Sequence, residues 1–428
     1  MNFLQKHWKP KKHIAILFQP RKDPNGTHRT NARLMGLAFQ QNGHVCKYYS
    51  LDSEKAVTDL YRAVDEKSLT AVYAEQGNGI NLSDRRRSSK KNLFESARIP
   101  VLSQIRDSLS ANWLRENLRG RSDMGFYQLA VQENRHYLRA VGLSEEEVFF
   151  HPVCSMKIHT SRISEVRRER RCRAGRRGNN LFAVITVRDP KQQEEVLVKK
   201  WGDRVPAVRD FVKIDFVESS LSFENLFQKL IHRLDLSLEE KLEMRGEVSE
   251  VVRARARVRF ATILGSLPVD LFVRGFSGYL QDTKQKAIVR KRIPLEKVLK
   301  KMNQQETPVC CNSGFLEDPG ERVVTALDYG VRPITNWTPQ IDRYGMGKFV
   351  DTYRSWDELK ERVLGRLANP IQDRGRPPEE WMSFFRPEYP ARRMLAELQK
   401  RGWLPASNKE SFVGEGGQKR HEVDMAGY

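Results

Sequence analysis

The 428-residue sequence predicts an α/β protein with two successive doubly wound parallel sheets facing each other across a cleft. Three observations lead there. Up to residue 103, short apolar runs alternate with helical patterns, as in consecutive βαβ units. The alternation breaks near residue 155 at a stretch almost devoid of apolar residues. It restarts at Leu181 with an unbroken apolar run to Val187.

The first half is read as follows. His13 to Phe18 is a buried strand, followed by a turn-rich segment with Pro20, Pro24 and Gly26. Asn31 to Gln41 is a helix with Leu34, Leu37 and Ala38 on one face, ended by Asn42-Gly43. His44 to Tyr49 is a strand, Glu54 to Glu66 a helix, Leu69 to Ala74 a strand ending at Gly77-Asn78-Gly79, and Ile99 to Ser103 a strand. In the second half, helices are expected around Ser222 to Leu234 and Leu238 to Leu267. Strands are expected at Val269 to Val273 and Thr307 to Asn312, then a helix from Arg322 to Tyr329 and a strand from Val331 to Thr335. Trp356 to Leu367 is a helix stopped by Asn369-Pro370, and at least one more lies within Trp381 to Arg401. The expected division is 1–155, a basic joint at 156–180, 181–370, and C-terminal helices with a polar tail at 371–428. Ligands of open parallel sheets bind at the carboxyl ends of strands, so the loops after the strands are where chemistry is sought.

Composition narrows the classes. With 39% hydrophobic residues the chain has material for sizeable cores, which excludes global disorder. The net charge of +21 attracts polyanions: nucleic acid, an anionic membrane face or phosphorylated ligands. No run approaches the ~18 apolar residues of a membrane helix, and Met1 to Lys12 holds no apolar leader segment. Cys46, Cys154, Cys172, Cys310 and Cys311 form no paired metal spacing, so a reduced, cytoplasmic chain is expected. There is no Asp-x-Asp, P-loop, His-Glu-x-x-His or Gly-x-Ser-x-Gly, and no nucleic-acid-binding motif stands out.

The stretch from Asn312 to Gly330 (NSGFLEDPGERVVTALDYG) resembles the donor-binding segment of GT-B glycosyltransferases, closest to the CgeB-like and group 1 type. The flanks agree: Val269 to Tyr279 (VDLFVRGFSGY) is similar to the preceding strand and glycine turn, Ile334-Thr335-Asn336 to the following strand, and Trp356 to Pro370 to the helix beyond. Asn31 to Val45 and Ile99 to Asp107 resemble the family's first helix and its acceptor-side strand and loop. The resemblance implies two Rossmann-like domains. It also implies metal-independent transfer of a sugar from a nucleotide sugar, the donor substrate, to a saccharide or lipid-linked acceptor of the cell envelope, with no further cofactor. Glu317 and Thr325 keep the eight-residue offset of the family's Glu…Glu pair, but Thr325 stands where the second Glu is usual.

Site candidates follow. The helix beginning near Arg322 would turn its positive end toward a diphosphate, and Arg322 would add charge-assisted hydrogen bonds. Asn312 belongs to the same donor loop. Glu317 or Glu321 would accept hydrogen bonds from ribose or sugar hydroxyls, although Asp318-Pro319-Gly320-Glu321 is equally an ordinary helix start. In the family's layout the loop carrying Arg188 and Lys191 faces the diphosphate; both residues are otherwise simply solvent-exposed cations. Gly275 and Tyr279 lie in the strand-end turn near the expected nucleobase, which Tyr279 would stack on or else leave for a half-buried position. Asp107 is the candidate base for the acceptor hydroxyl, with a helix N-cap as its competing role. His28, in the first strand–helix loop, either faces the site or is a surface histidine. The eight arginines within Arg162–Arg177 are read as a solvated segment or as a contact for an anionic membrane surface at the inner face. The alternation of Arg253, Arg255, Arg257 and Arg259 with apolar residues is read as charge spread around a helix. Two other functions stay open: a non-catalytic relative that binds a nucleotide sugar or glycan, and a basic nucleic-acid-binding protein.

Overall fold

The computed structural model describes residues 12–22, 26–84, 91–157, 180–219, 221–275, 287–291, 293–312, 319–369 and 376–404. The basic stretch Arg162–Arg177, Glu317 and Tyr279 lie outside the described residues.

The first domain holds a six-stranded parallel sheet of β1 (His13–Phe18), β2 (Cys46–Ser50), β3 (Leu69–Glu75), β4 (Val101–Ile105), β5 (Gly125–Leu129) and β6 (Val148–Phe150). Its order is β2-β1-β3-β4-β5-β6. Ile14 to Leu17, Ala71 to Ala74 and Val101 to Ile105 are buried, as strands covered on both faces must be. Helices α1 (Thr27–Gln41), α2 (Glu54–Asp65), α3 (Leu93–Ser96) and α4 (Asn112–Leu118) connect the first strands. The Ser53 hydroxyl accepts the Ala56 amide at 3.3 Å and starts α2 where the sequence places it.

The second sheet comprises β7 (Leu181–Val187), β8 (Asp270–Gly275), β9 (Ile288–Lys291), β10 (Thr307–Cys310), β11 (Ile334–Asn336) and β12 (Asp351–Tyr353). All its pairings are parallel, in the order β12-β11-β10-β7-β8-β9. The chain winds outward from β7 to β9, then returns to the other side of β7. This is the doubly wound order whose switch point lies between its first and fourth strands, here β7 and β10. The helices are α5 (Pro190–Trp201), α6 (Val205–Arg209), α7 (Phe223–Ile231), α8 (Leu238–Gly265), α9 (Leu295–Asn303), α10 (Glu321–Asp328), α11 (Pro339–Arg343), α12 (Trp356–Ala368), α13 (Glu379–Phe384) and α14 (Glu388–Lys400). Both halves are therefore doubly wound, Rossmann-like domains, and a cleft opens between them.

Two helices tie the domains together. At 28 residues, α8 is ~42 Å long. A capping box of Ser237 and Glu240 opens it. Leu242 packs in the core of the first domain, whereas Phe260, Ala261 and Leu264 pack in that of the second. The last helix, α14, returns to the first domain, where Ala391, Met394, Leu395 and Leu398 join Ile14, Ile16, Met35 and Phe39 in one cluster. Among the described residues no helix is long and apolar enough to cross a membrane.

Boundaries differ from expectation in physically ordinary ways. Helix α1 begins four residues before Asn31, because Gly26 in a left-handed conformation replaces a side-chain cap. Strands β5, β6, β9 and β12 are not anticipated: three or four residues, exposed positions as in β9, or interior polar residues such as Gln128 give no readable period.

Candidate functional site

A cavity of 210 Å³ opens between the domains. From the first domain it is lined by Arg106, Asp107, Val131 and Val153; from the second by Arg253, Arg257, Cys310, Cys311, Asn312, Gly320, Glu321 and Arg322. Four arginines thus meet two carboxylates at the carboxyl ends of β4 and β10.

On the first-domain side, the loop after β4 carries Arg106 and Asp107. Arg106 donates to buried Glu75 at 2.6 Å and, across the cleft, to Glu321 at 2.8 Å. Tyr73 also donates to Glu75, at 2.8 Å. Burial alone would lower the Arg106 pKa, but the Glu75 and Glu321 carboxylates raise it above the ordinary guanidinium value, so the charge is permanent. Asp107 is exposed to the cleft, and its Oδ2 accepts the Gln76 amide at 2.9 Å. It caps no helix: α4 starts at Asn112, with Ala111 at its cap position.

The second-domain side follows from the switch point. The ladder between β7 and β10 covers only Leu181–Phe182 and Thr307–Pro308. Beyond it the strands diverge. Residues two apart in a strand turn their carbonyls to the same edge, and Arg322 donates to Val184 O at 2.7 Å while Arg257 donates to Thr186 O at 3.1 Å. The guanidiniums complete backbone groups that a sheet partner would otherwise satisfy. Neither has a carboxylate partner among the described residues. Desolvation, then the neighbouring charges of Arg253 and Arg322, push Arg257 down to about 9. Arg253, one helical turn before Arg257 on α8, pairs with Glu250 at 3.1 Å.

The amino end of α10 forms the floor. Gly320 precedes it at φ +84°, and a Cβ there would sit 2.7 Å from Asn312 Oδ1. Asn312 is committed to shaping this turn: its side chain donates to Pro319 O, and its amide donates to Asn336 Oδ1 at 2.7 Å.

Of the sequence candidates, Asp107, Asn312, Glu321 and Arg322 meet in this cavity. Arg188, Lys191 and Gly275 line a neighbouring hollow at the same sheet edge, with Val187 and Asp189. Gly275 has φ +99°, and a Cβ there would strike Val187 O at 2.2 Å, so the two strand ends can converge only on glycine. Glu250 links the two hollows, pairing with Arg188 as well as Arg253. His28 stands apart from both, in the first turn of α1 with its ring 6.4 Å from that of Trp113. Thr325 is fully buried, and its hydroxyl accepts the Met156 amide at 2.9 Å. Thr325 is not among the residues that line the cavity.

Sequence reasoning missed Arg106, Arg253, Arg257 and Cys311. The i, i+4 spacing of Arg253 and Arg257 was the available signal for two of them. Only those two of the four alternating arginines enter the cleft. Arg255 pairs with Glu194, and Arg259 with Asp215 and Glu218.

The sequence matches no protein-family model and no curated protein. Solved structures of similar architecture include a glycosyltransferase from Rickettsia africae at 7% identity, covering 91% of this chain and 98% of that one, with a TM-score of 0.40. Anabaena Alr3699/HepE in complex with UDP and glucose aligns at 10% identity over 91% and 99% of the two chains, with a TM-score of 0.40. S. aureus MnaA with UDP aligns at 7% identity over 94% and 100%, with a TM-score of 0.37. At these values the fold assignment rests on the two strand orders themselves.

Proposed function

We propose that this chain is a sugar-nucleotide-dependent glycosyltransferase of GT-B type, with the donor diphosphate bound in the arginine-walled cleft. One observation carries the reading: Arg257 and Arg322 stand in a partly desolvated crevice at the switch point with no carboxylate partner among the described residues. Like charges held together there are relieved by an anion, and a diphosphate brings more than one negative charge. The partial positive charge at the amino end of α10 adds to that attraction.

The chemistry divides across the cleft. The acceptor hydroxyl gives its proton to Asp107, its oxygen bonds to the anomeric carbon, and the bond from that carbon to the diphosphate oxygen breaks. The electron pair leaves on the diphosphate, where Arg253, Arg257 and Arg322 stabilise it. For the finer assignment we carry forward the CgeB-like, group 1 type, a metal-independent reaction, and a saccharide or lipid-linked envelope acceptor. In this reading the protein is cytoplasmic, with residues 162–177 against an anionic membrane face.

Calorimetric titration with UDP, GDP, CMP and their sugars tests the reading. Binding of a nucleoside diphosphate, lost in Arg322→Ala, supports it; no nucleotide response, with tight salt-sensitive binding of RNA or DNA, overturns it. Asp107→Asn should cut turnover of the bound donor to a small but measurable residual rate while leaving its affinity unchanged. Unchanged turnover removes Asp107 from the chemistry.

A further inference from the structure

We infer that Gln76 is a positioning residue that aims the Asp107 carboxylate at the acceptor; the inference rests on Asp107 being the base. Gln76 follows β3 and is 1% exposed, yet its backbone sits at φ +55°, the left-handed region that a side chain of its size disfavours. Gly77, the next residue, is also left-handed at φ +69°. A second glycine would serve the turn with no strain, so the glutamine side chain must contribute something the backbone does not need.

What it contributes is a two-pronged clip on the neighbouring loop. Its Oε1 accepts the Arg106 amide at 3.0 Å, and its Nε2 donates to Asp107 Oδ2 at 2.9 Å. Both ends of the amide are therefore used on consecutive residues. The backbone behind it is fixed as well: the Gln76 amide donates to Gln104 O at 3.0 Å, and its carbonyl accepts Asn117 Nδ2 at 3.1 Å. Asn134 holds the same loop from the other side, donating to Asp107 O at 3.1 Å and accepting from Leu109 N at 2.8 Å. Arg245 of α8 donates to Ser108 Oγ at 2.6 Å.

The consequence concerns one side chain. An exposed aspartate ordinarily samples several rotamers. Here Oδ2 is engaged and Oδ1 has no hydrogen-bond partner among the described residues, so it can take the proton of an acceptor hydroxyl, while Arg106, paired with Glu75 and Glu321, keeps its cation next to the carboxylate. Reacting groups held within a fraction of an ångström of the productive geometry react faster without binding the donor more tightly.

The test is a double-mutant cycle on the full chain. Turnover is read as nucleoside diphosphate released from UDP-glucose or GDP-mannose, with water as acceptor. Gln76→Asn tolerates the left-handed backbone but is one methylene too short for Asp107, and Gln76→Gly takes the backbone without strain and removes the amide. Each should lower kcat about 10- to 100-fold with the donor KM within about twofold of wild type. Added to Asp107→Asn, neither should lower turnover further. Unchanged kcat in both variants, or losses that add to that of Asp107→Asn, overturn the assignment of Gln76 while the base stands. Full turnover in Asp107→Asn alone overturns the base and this inference together.

Discussion

Replacing Arg257 with methionine should stabilise the empty protein and weaken its ligand. A guanidinium whose folded pKa lies near 9 destabilises the fold at every pH below that value. The penalty fades as the pH climbs from 9 toward the unfolded value. At ~1.4 kcal/mol for each pH unit the penalty is bounded at roughly 4–5 kcal/mol, and partial access of the side chain to the cleft reduces it to about 2 kcal/mol. Methionine fills similar space but forfeits the 3.1 Å hydrogen bond to Thr186 O, a net loss of about 1 kcal/mol. The balance is a gain of about 1 kcal/mol, or a Tm rise of about 1–3 °C at neutral pH for a chain of this size. Loss of one charge-assisted contact should at the same time weaken a nucleoside diphosphate by about 1.5–3 kcal/mol, roughly 10- to 150-fold. Differential scanning calorimetry and titration calorimetry on the same preparation read both quantities. A Tm several degrees below wild type, with nucleotide affinity retained, would refute the reasoning, because Arg257 would then be a structural brace.

Three further outcomes are expected. Arg322→Ala should weaken UDP or GDP about 10- to 100-fold in a titration while the far-ultraviolet spectrum stays unchanged; retained affinity counts against the donor site. Wild-type affinity for a nucleoside diphosphate should fall as the ionic strength is raised, and less steeply in Arg257→Met, which has one cation fewer in the cleft; equal salt dependence counts against a phosphate contact at Arg257. Thr325→Glu, which places a carboxylate where the resemblance to GT-B transferases implies one, should destabilise by about 3–5 kcal/mol in denaturant unfolding and give no tighter donor binding, since the site is fully buried against the Met156 amide; a stable variant with tighter binding contradicts this.

Much of the architecture was legible because the central strands are buried on both faces. Unbroken apolar runs such as Leu181 to Val187 have few alternatives once helices flank them. Helices with a clear cap and one apolar face, such as α2, or with great length, such as α8, could also be read. Edge strands could not: β12 has three residues, and β9 has no buried position at all. Part of the cavity lining was equally accessible, because Asp107, Asn312, Glu321 and Arg322 lie in the segments that follow strands, and strand ends converge on the cleft in this fold. The arginines from α8 were not. Their direction is set by how a helix ~42 Å long lies across two domains, and the local alternation with alanine and valine masks the i, i+4 pair. Arg106 was hidden for another reason: its role depends on Glu321, more than two hundred residues away in sequence.

The central claim is that the cleft arginines receive the phosphates of a sugar nucleotide. A crystal structure of the chain with UDP or GDP tests it most directly. The account predicts phosphate oxygens within hydrogen-bond distance of Arg257 and Arg322, at the amino end of α10 and opposite Asp107. Phosphates bound elsewhere on the protein, with this cleft empty, would contradict it.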